Sequence, residues 1–73
     1  MTLKSNQARL DGSLIERYES DIYYVEAIRH KGDVRQLLVR RKDYGPLLDW
    51  REKHAIKNQI AGPESEVIEI YPA

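Results

Sequence analysis

His30 and His54 are the two imidazoles of the chain, and no cysteine accompanies them. The missing thiols exclude disulfides, thiolate zinc sites and cysteine nucleophiles. A histidine-based metal site needs three or four ligands in a suitable geometry. His54 has Trp50 and Asn58 one helical turn to either side, so neither a second histidine nor a carboxylate completes a helical pair. His30 sits at a hairpin end. A hydrolytic triad needs a nucleophile, a base and an orienting carboxylate. Ser5, Ser13, Ser20 and Ser65 all fall at turns, caps or the N-terminal segment, and none has the context of a nucleophile elbow. The four glycines are isolated turn residues, not a phosphate-cradling loop. The sequence therefore predicts no catalytic residue, no metal site and no cofactor.

A second chemistry is anion binding. Arg29, His30, Lys31, Arg35, Arg40, Arg41 and Lys42 fall on two adjacent strands and their ends, with Tyr24 and Tyr44 nearby. A basic ribbon interleaved with aromatics can bind phosphates and stack bases. Three features weaken that reading. The twelve Lys and Arg balance twelve Asp and Glu, giving zero net charge, whereas dedicated nucleic-acid binders carry a basic excess. Strand alternation sends Arg40 and Arg41 to opposite faces, and the acidic last strand can neutralise part of the set. The charge is nonetheless uneven: residues 29–57 carry nine basic and four acidic side chains, and residues 58–73 carry three acidic and none basic. A two-signed surface of this kind suits recognition of another macromolecule.

At 73 residues the chain is one domain at most, and domains this small bury a low fraction of their surface. Residues 1–12 are polar, lack a clear period and meet a break at Asp11-Gly12, so they read as a flexible arm; residues 13–73 read as one domain. "SLIERY" at 13–18 predicts a strand in preference to a capped helix, and "ESD" a tight turn. "IYYVEAIRH" at 22–30 is β-branched and aromatic, with Tyr23, Val25 and Ala27 on one face and Ile22, Tyr24, Glu26 and Ile28 on the other. "KGD" at 31–33 closes a hairpin. "VRQLLVRRK" at 34–42 returns with Leu37 and Val39 inward, and "DYGP" ends it.

"DWREKHAIKNQIAGPESEVIEIYP", Asp49 to Pro72, is the best-punctuated stretch. Asp49 is an N-cap, and Glu52 three residues later predicts a capping box. Ile56 and Ile60 form the core-facing stripe, with Lys53 covering its edge through its methylene stem. Gly62 and Pro63 stop the helix. "EVIEIY" at 66–71 predicts the last strand, with Ile68 and Ile70 inward and Val67, Glu69 and Tyr71 outward. Trp50 reads as an anchor of the helix on the sheet edge or, if exposed, as an interface hot spot. The predicted fold is α+β: a small, mostly antiparallel sheet of three to four strands in β-β-β-α-β order, with one helix packed on one face. The opposite face would show Tyr24, Ile28, Leu38 and Tyr71.

The same stretch resembles a family of small uncharacterised proteins of tailed phages and prophages. The shared pattern is Asp49-Trp50-Arg51, Ile56-Lys57-Asn58, Gly62-Pro63-Glu64, then Glu69, Tyr71 and Pro72, and the preceding hairpin is similar too, so the likeness covers roughly residues 13–73. Members commonly run on past the Tyr-Pro through a further segment, absent from this sequence, and Lys53 replaces a usual leucine that would have completed a hydrophobic staple with Leu48. The resemblance implies a phage or prophage origin and no chemistry.

These readings lead to a non-catalytic protein-binding module, an inhibitor or modulator of a host or antiviral-defence protein, with Arg35, Arg40, Trp50, Arg51, Lys57, Glu69 and Tyr71 as the expected partner-binding residues. The alternatives are a nucleic-acid-binding accessory protein using Arg29, Lys31, Arg35, Arg40, Arg41 and Lys42, and a phage structural component assembling as a homodimer through a sheet edge or the outer sheet face. No apolar run approaches the ~20 residues of a membrane span, and the N-terminal stretch lacks the apolar core of a signal peptide. The host cytoplasm is the expected location.

Overall fold

The computed structural model describes residues 1–45 and 49–72, with the backbone alone for Tyr71 and Pro72. Five strands and one helix follow in the order β1 (Thr2–Ala8), β2 (Leu14–Glu19), β3 (Tyr23–His30), β4 (Asp33–Arg41), α1 (Trp50–Ile60) and β5 (Glu69–Pro72). The strands form one sheet in sequence order. Its first four strands are an antiparallel meander, and β5 joins β4 in parallel after the helical crossover. The α+β class and the single helix match expectation. The strand count does not, because residues 2–8 are an edge strand and not a flexible arm. Every residue of β1 is exposed, so no apolar alternation marks it; backbone pairing with β2 is what orders it. Leu48 and its expected staple lie outside the described residues.

Each turn has a local chemical cause. At the β1–β2 loop the Asp11 carboxylate accepts from the Ser13 N–H at 2.9 Å and the Ser13 hydroxyl at 2.5 Å, and this holds its carboxyl below the usual carboxylate range. Ser13 is itself buried. At the β2–β3 turn the Ser20 hydroxyl oxygen accepts from the Ile22 and Tyr23 amides. The β3–β4 loop has positive φ at both Lys31 (53°) and Gly32 (88°), as a two-residue hairpin turn matched to strand twist requires. Register shifts in β4 leave Arg35 unpaired between Val34 and Gln36, a bulge that turns both Val34 and Leu37 into the core.

The core lies between the sheet and α1. Val25, Ala27, Val34, Leu37, Val39, Ile56 and Ile60 are buried together, with Tyr18, Tyr23, Val67 and Ile70 packed at their margin. Two expectations fail at the C-terminal end. Ile68 is 67% exposed, while Val67 packs against the core. The ladder starts only at Glu69, so period-two alternation does not extend back to Ile68. Ile28 departs as well: it is on the uncovered face, yet only 8% exposed, opposite Ile15 and Gln36 in the ladder.

Polar contacts hold both ends of α1 to the sheet. Asp49 accepts from the Glu52 N–H at 3.0 Å, the expected N-cap. The Glu52 carboxylate does not complete the expected box; it accepts from the Tyr23 hydroxyl across the core. At the other end Arg29 ion-pairs with Glu16 and donates to the carbonyls of Gly32, at 3.0 Å, and of Ile60, at 3.4 Å. Ile56 lies between these two ends. In urea unfolding, Ile56→Ala is expected to cost about 3 kcal/mol through cavity formation. Glu16→Ala is expected to cost about 2 kcal/mol, because it leaves a half-buried guanidinium without its carboxylate. Exposed Glu64→Ala is expected to stay within about 0.5 kcal/mol of wild type.

Candidate functional site

The spacing of Trp50, Lys53, His54 and Lys57 is i, i+3, i+4, i+7, which aligns them on one flank of α1, beside the stripe that buries Ile56 and Ile60. This flank and residues 67–70 line a groove of about 290 Å³ between the helix and the sheet margin. Val67 and Ile70 form the part of the groove nearest the core, and Ile68 and Trp50, 67% and 71% exposed, project beside it. The Trp50 and His54 rings lie 4.4 Å apart at 58°, which steadies both on the helix surface. Trp50 is thus exposed and does not anchor the helix on the sheet edge. Trp50 and Ile68 are two of several large apolar side chains left exposed, and these two share one groove.

The groove is basic as well as apolar. Lys53 and Lys57 have no ion-pair partner among the described residues, whereas Arg29, Arg35, Arg41, Lys4 and Lys42 are each paired with a carboxylate. Glu69 is the one acid of the lining. Among the described residues no three His, Asp or Glu side chains are grouped to hold a metal.

The expected partner-binding residues separate into five places. Trp50, Lys57 and Glu69 meet in the groove. Arg51 is exposed on α1 outside the lining. Tyr71 occupies the register position opposite Leu38. Arg35 sits at the bulge, 3.7 Å from Asp33, beside a second hollow whose rim includes Glu64 and Glu66. Arg40 lies on the uncovered sheet face, 4.8 Å from the Tyr24 ring centre. Three residues of the groove escaped prediction. Lys53 read only as a cover for the core edge, His54 only as a histidine without a helical metal-ligand pair, and Ile68 as core. The helical spacing of the first two with Trp50 and Lys57 is a signal that could have found them; Ile68 gave none.

The basic hairpin does not form a continuous ribbon. Arg29 is drawn to the helix side by Glu16. Arg41 is held by a bidentate pair with Asp43, at 2.7 and 3.0 Å, which keeps the Asp43 carboxyl below the usual carboxylate range. Lys42 is shared between Glu19, at 3.4 Å, and the Tyr24 ring, at 4.9 Å. Lys31 stands in the turn. These cations are distributed over both faces and largely matched locally.

The helix flank is positioned by the contact of Tyr23 with Glu52. Burial, then the hydrogen bond to Glu52, pushes the Tyr23 hydroxyl up to about 12. An unfolded tyrosine ionises near pH ~10. The folded state therefore retains this proton over a range where the unfolded state loses it, so the stabilisation is fully present below about pH 10 and disappears as pH rises towards 12. In a phenolate absorbance titration, one of the five tyrosines is expected to ionise last, and Tyr23→Phe is expected to remove that late step.

No family model, curated protein or solved structure matches the chain, so the groove itself supplies the direction for a functional reading.

Proposed function

We propose that the chain is a non-catalytic protein-binding module whose contact surface is the groove between α1 and β5. The observation that carries this reading is the exposure of Trp50 and Ile68 beside two lysines that have no ion-pair partner among the described residues. Burying a tryptophan, an isoleucine and the apolar groove wall supplies contact energy. Lys53 and Lys57 supply orientation and a preference for acidic partners. In the phage setting that the resemblance implies, the partner is a host or antiviral-defence protein, and binding inhibits or modulates it. A groove of this size can seat a few side chains of another protein.

The nucleic-acid alternative loses weight because most cations of the hairpin already have carboxylates or a tyrosine ring beside them. The test is affinity capture from a bacterial lysate with the full chain as bait. A discrete partner is expected to be retained in near-stoichiometric amount by wild type and by Arg40→Ala, and reduced about tenfold or more by a Trp50→Ala/Ile68→Ala variant that unfolds at wild-type urea concentration. Equal retention by the double variant removes the groove as the contact surface.

A further inference from the structure

We propose that the sheet face opposite α1 pairs with the same face of a second copy of this chain, with Glu26 of each copy against Arg40 of the other. The helix covers the side of the sheet that carries Val25, Ala27, Leu37 and Val39. Strand alternation sends Tyr24, Glu26 and Ile28 of β3 and Leu38 and Arg40 of β4 to the other side. There Tyr24 stands opposite Arg40, Glu26 opposite Leu38, and Ile28 opposite Ile15 of β2. Tyr24, Glu26, Leu38 and Arg40 line a hollow of about 260 Å³, with the Tyr24 side 40% exposed.

The charges of this face select the occupant. Glu19 is shared by Lys4, at 3.9 Å, and Lys42, at 3.4 Å, and Arg17 donates to Gln7 at 3.3 Å. Glu26 and Arg40 have no ion-pair partner among the described residues. One acid and one cation in a single hollow favour neither a polyanion nor a polycation, but they match their own two-fold image. The register puts them at two diagonal corners of the hollow, with Tyr24 and Leu38 at the other two. A two-fold axis lying in the face along the Tyr24–Leu38 diagonal sets Tyr24 on Tyr24 and Leu38 on Leu38. It also makes the Glu26–Arg40 contact twice, as an isologous interface requires. That diagonal runs at roughly 45° to the strands, so the strands of the two copies cross near 90°, one of the two usual ways that sheets stack. The Tyr24 ring holds the Arg40 guanidinium at 4.8 Å, so the cation is in place before the second copy arrives. Five strands about 4.8 Å apart give a face of roughly 400 Å². Interfaces of that size are at the weak end, so the dimer has a Kd on the order of 10–100 μM. The groove beside α1 is on the other side of the sheet and stays open in both copies.

Sedimentation equilibrium of the full chain between about 5 and 500 μM is expected to show a monomer–dimer equilibrium within that range. On dilution of the ¹⁵N-labelled chain, amide shifts are expected to centre on Tyr24, Glu26, Leu38 and Arg40. Glu26→Arg and Arg40→Glu each put like charges at both crossed contacts, and each is expected to weaken self-association about tenfold or more. An equimolar mixture of the two variants restores both ion pairs and is expected to dimerise as wild type does, a rescue that misfolding cannot imitate. A wild-type chain that is monomeric at about 500 μM overturns the proposal. So do a dimer that both charge variants retain, a mixture of the two folded variants that stays monomeric, and dilution shifts centred on β1 or on Trp50. Oligonucleotide binding at Tyr24 and Arg40 by a chain that remains monomeric gives the face to nucleic acid and overturns it as well. None of these outcomes bears on the groove, whose own test is lysate capture.

Discussion

The guanidinium of Arg29 contacts three parts of the fold: the Glu16 carboxylate on β2, the Gly32 carbonyl in the β3–β4 turn and the Ile60 carbonyl at the end of α1. A planar cation with donors in a fixed fork can satisfy several acceptors at once, and the Glu16 bond is the chief reason its basicity is raised above the ordinary value. The last carbonyls of a helix are orphan acceptors carrying partial negative charge. Placing a cation there stabilises the helix end and also fixes where it sits on the sheet. Glu52 performs the corresponding task at the first turn through Tyr23. With both ends held and Ile56 and Ile60 filling the space over Val25, Leu37 and Val39, the helix has little freedom to roll.

The groove depends on that fixed orientation. Trp50, Lys53, His54 and Lys57 lie on one flank because Glu52, Ile56 and Ile60 take up the neighbouring one. The bulge at Arg35 contributes from the sheet side, because its carbonyl receives Ile68 and so sets where β5 begins. Ile68 is left outside the ladder, exposed beside the groove. A thin core thus supports a rigid helix–strand margin in which apolar and cationic groups are presented together.

The meander and the helix were legible because their signals are local. Alternation in "YYVEAI" and "LLVRR", the Lys31-Gly32 turn, the Asp49 cap and the Gly62-Pro63 stop each correspond to a short-range constraint. Strand β1 was not legible, since an exposed edge strand held by backbone bonds needs no apolar pattern. The partner of Glu52 was not legible for a related reason. A capping box and a contact to Tyr23, 29 positions earlier, look the same in a local window, and only packing chooses between them. The candidate site was half legible: Trp50, Lys57 and Glu69 were singled out, but so were Arg35 and Arg40, which the sheet places elsewhere.

By itself the sequence determined the α+β class, the faces of β3 and β4 and the caps of α1, because backbone geometry turns spacing of two and 3.6 residues directly into faces. It also left the chain without a thiol. Only the tertiary structure decided that residues 2–8 pair with β2, that Ile68 is outside the core, that the hairpin cations are matched by carboxylates and a tyrosine ring, and that Trp50 stands exposed beside β5. Each of these depends on which distant surfaces meet, and residue spacing along the chain carries no information about that.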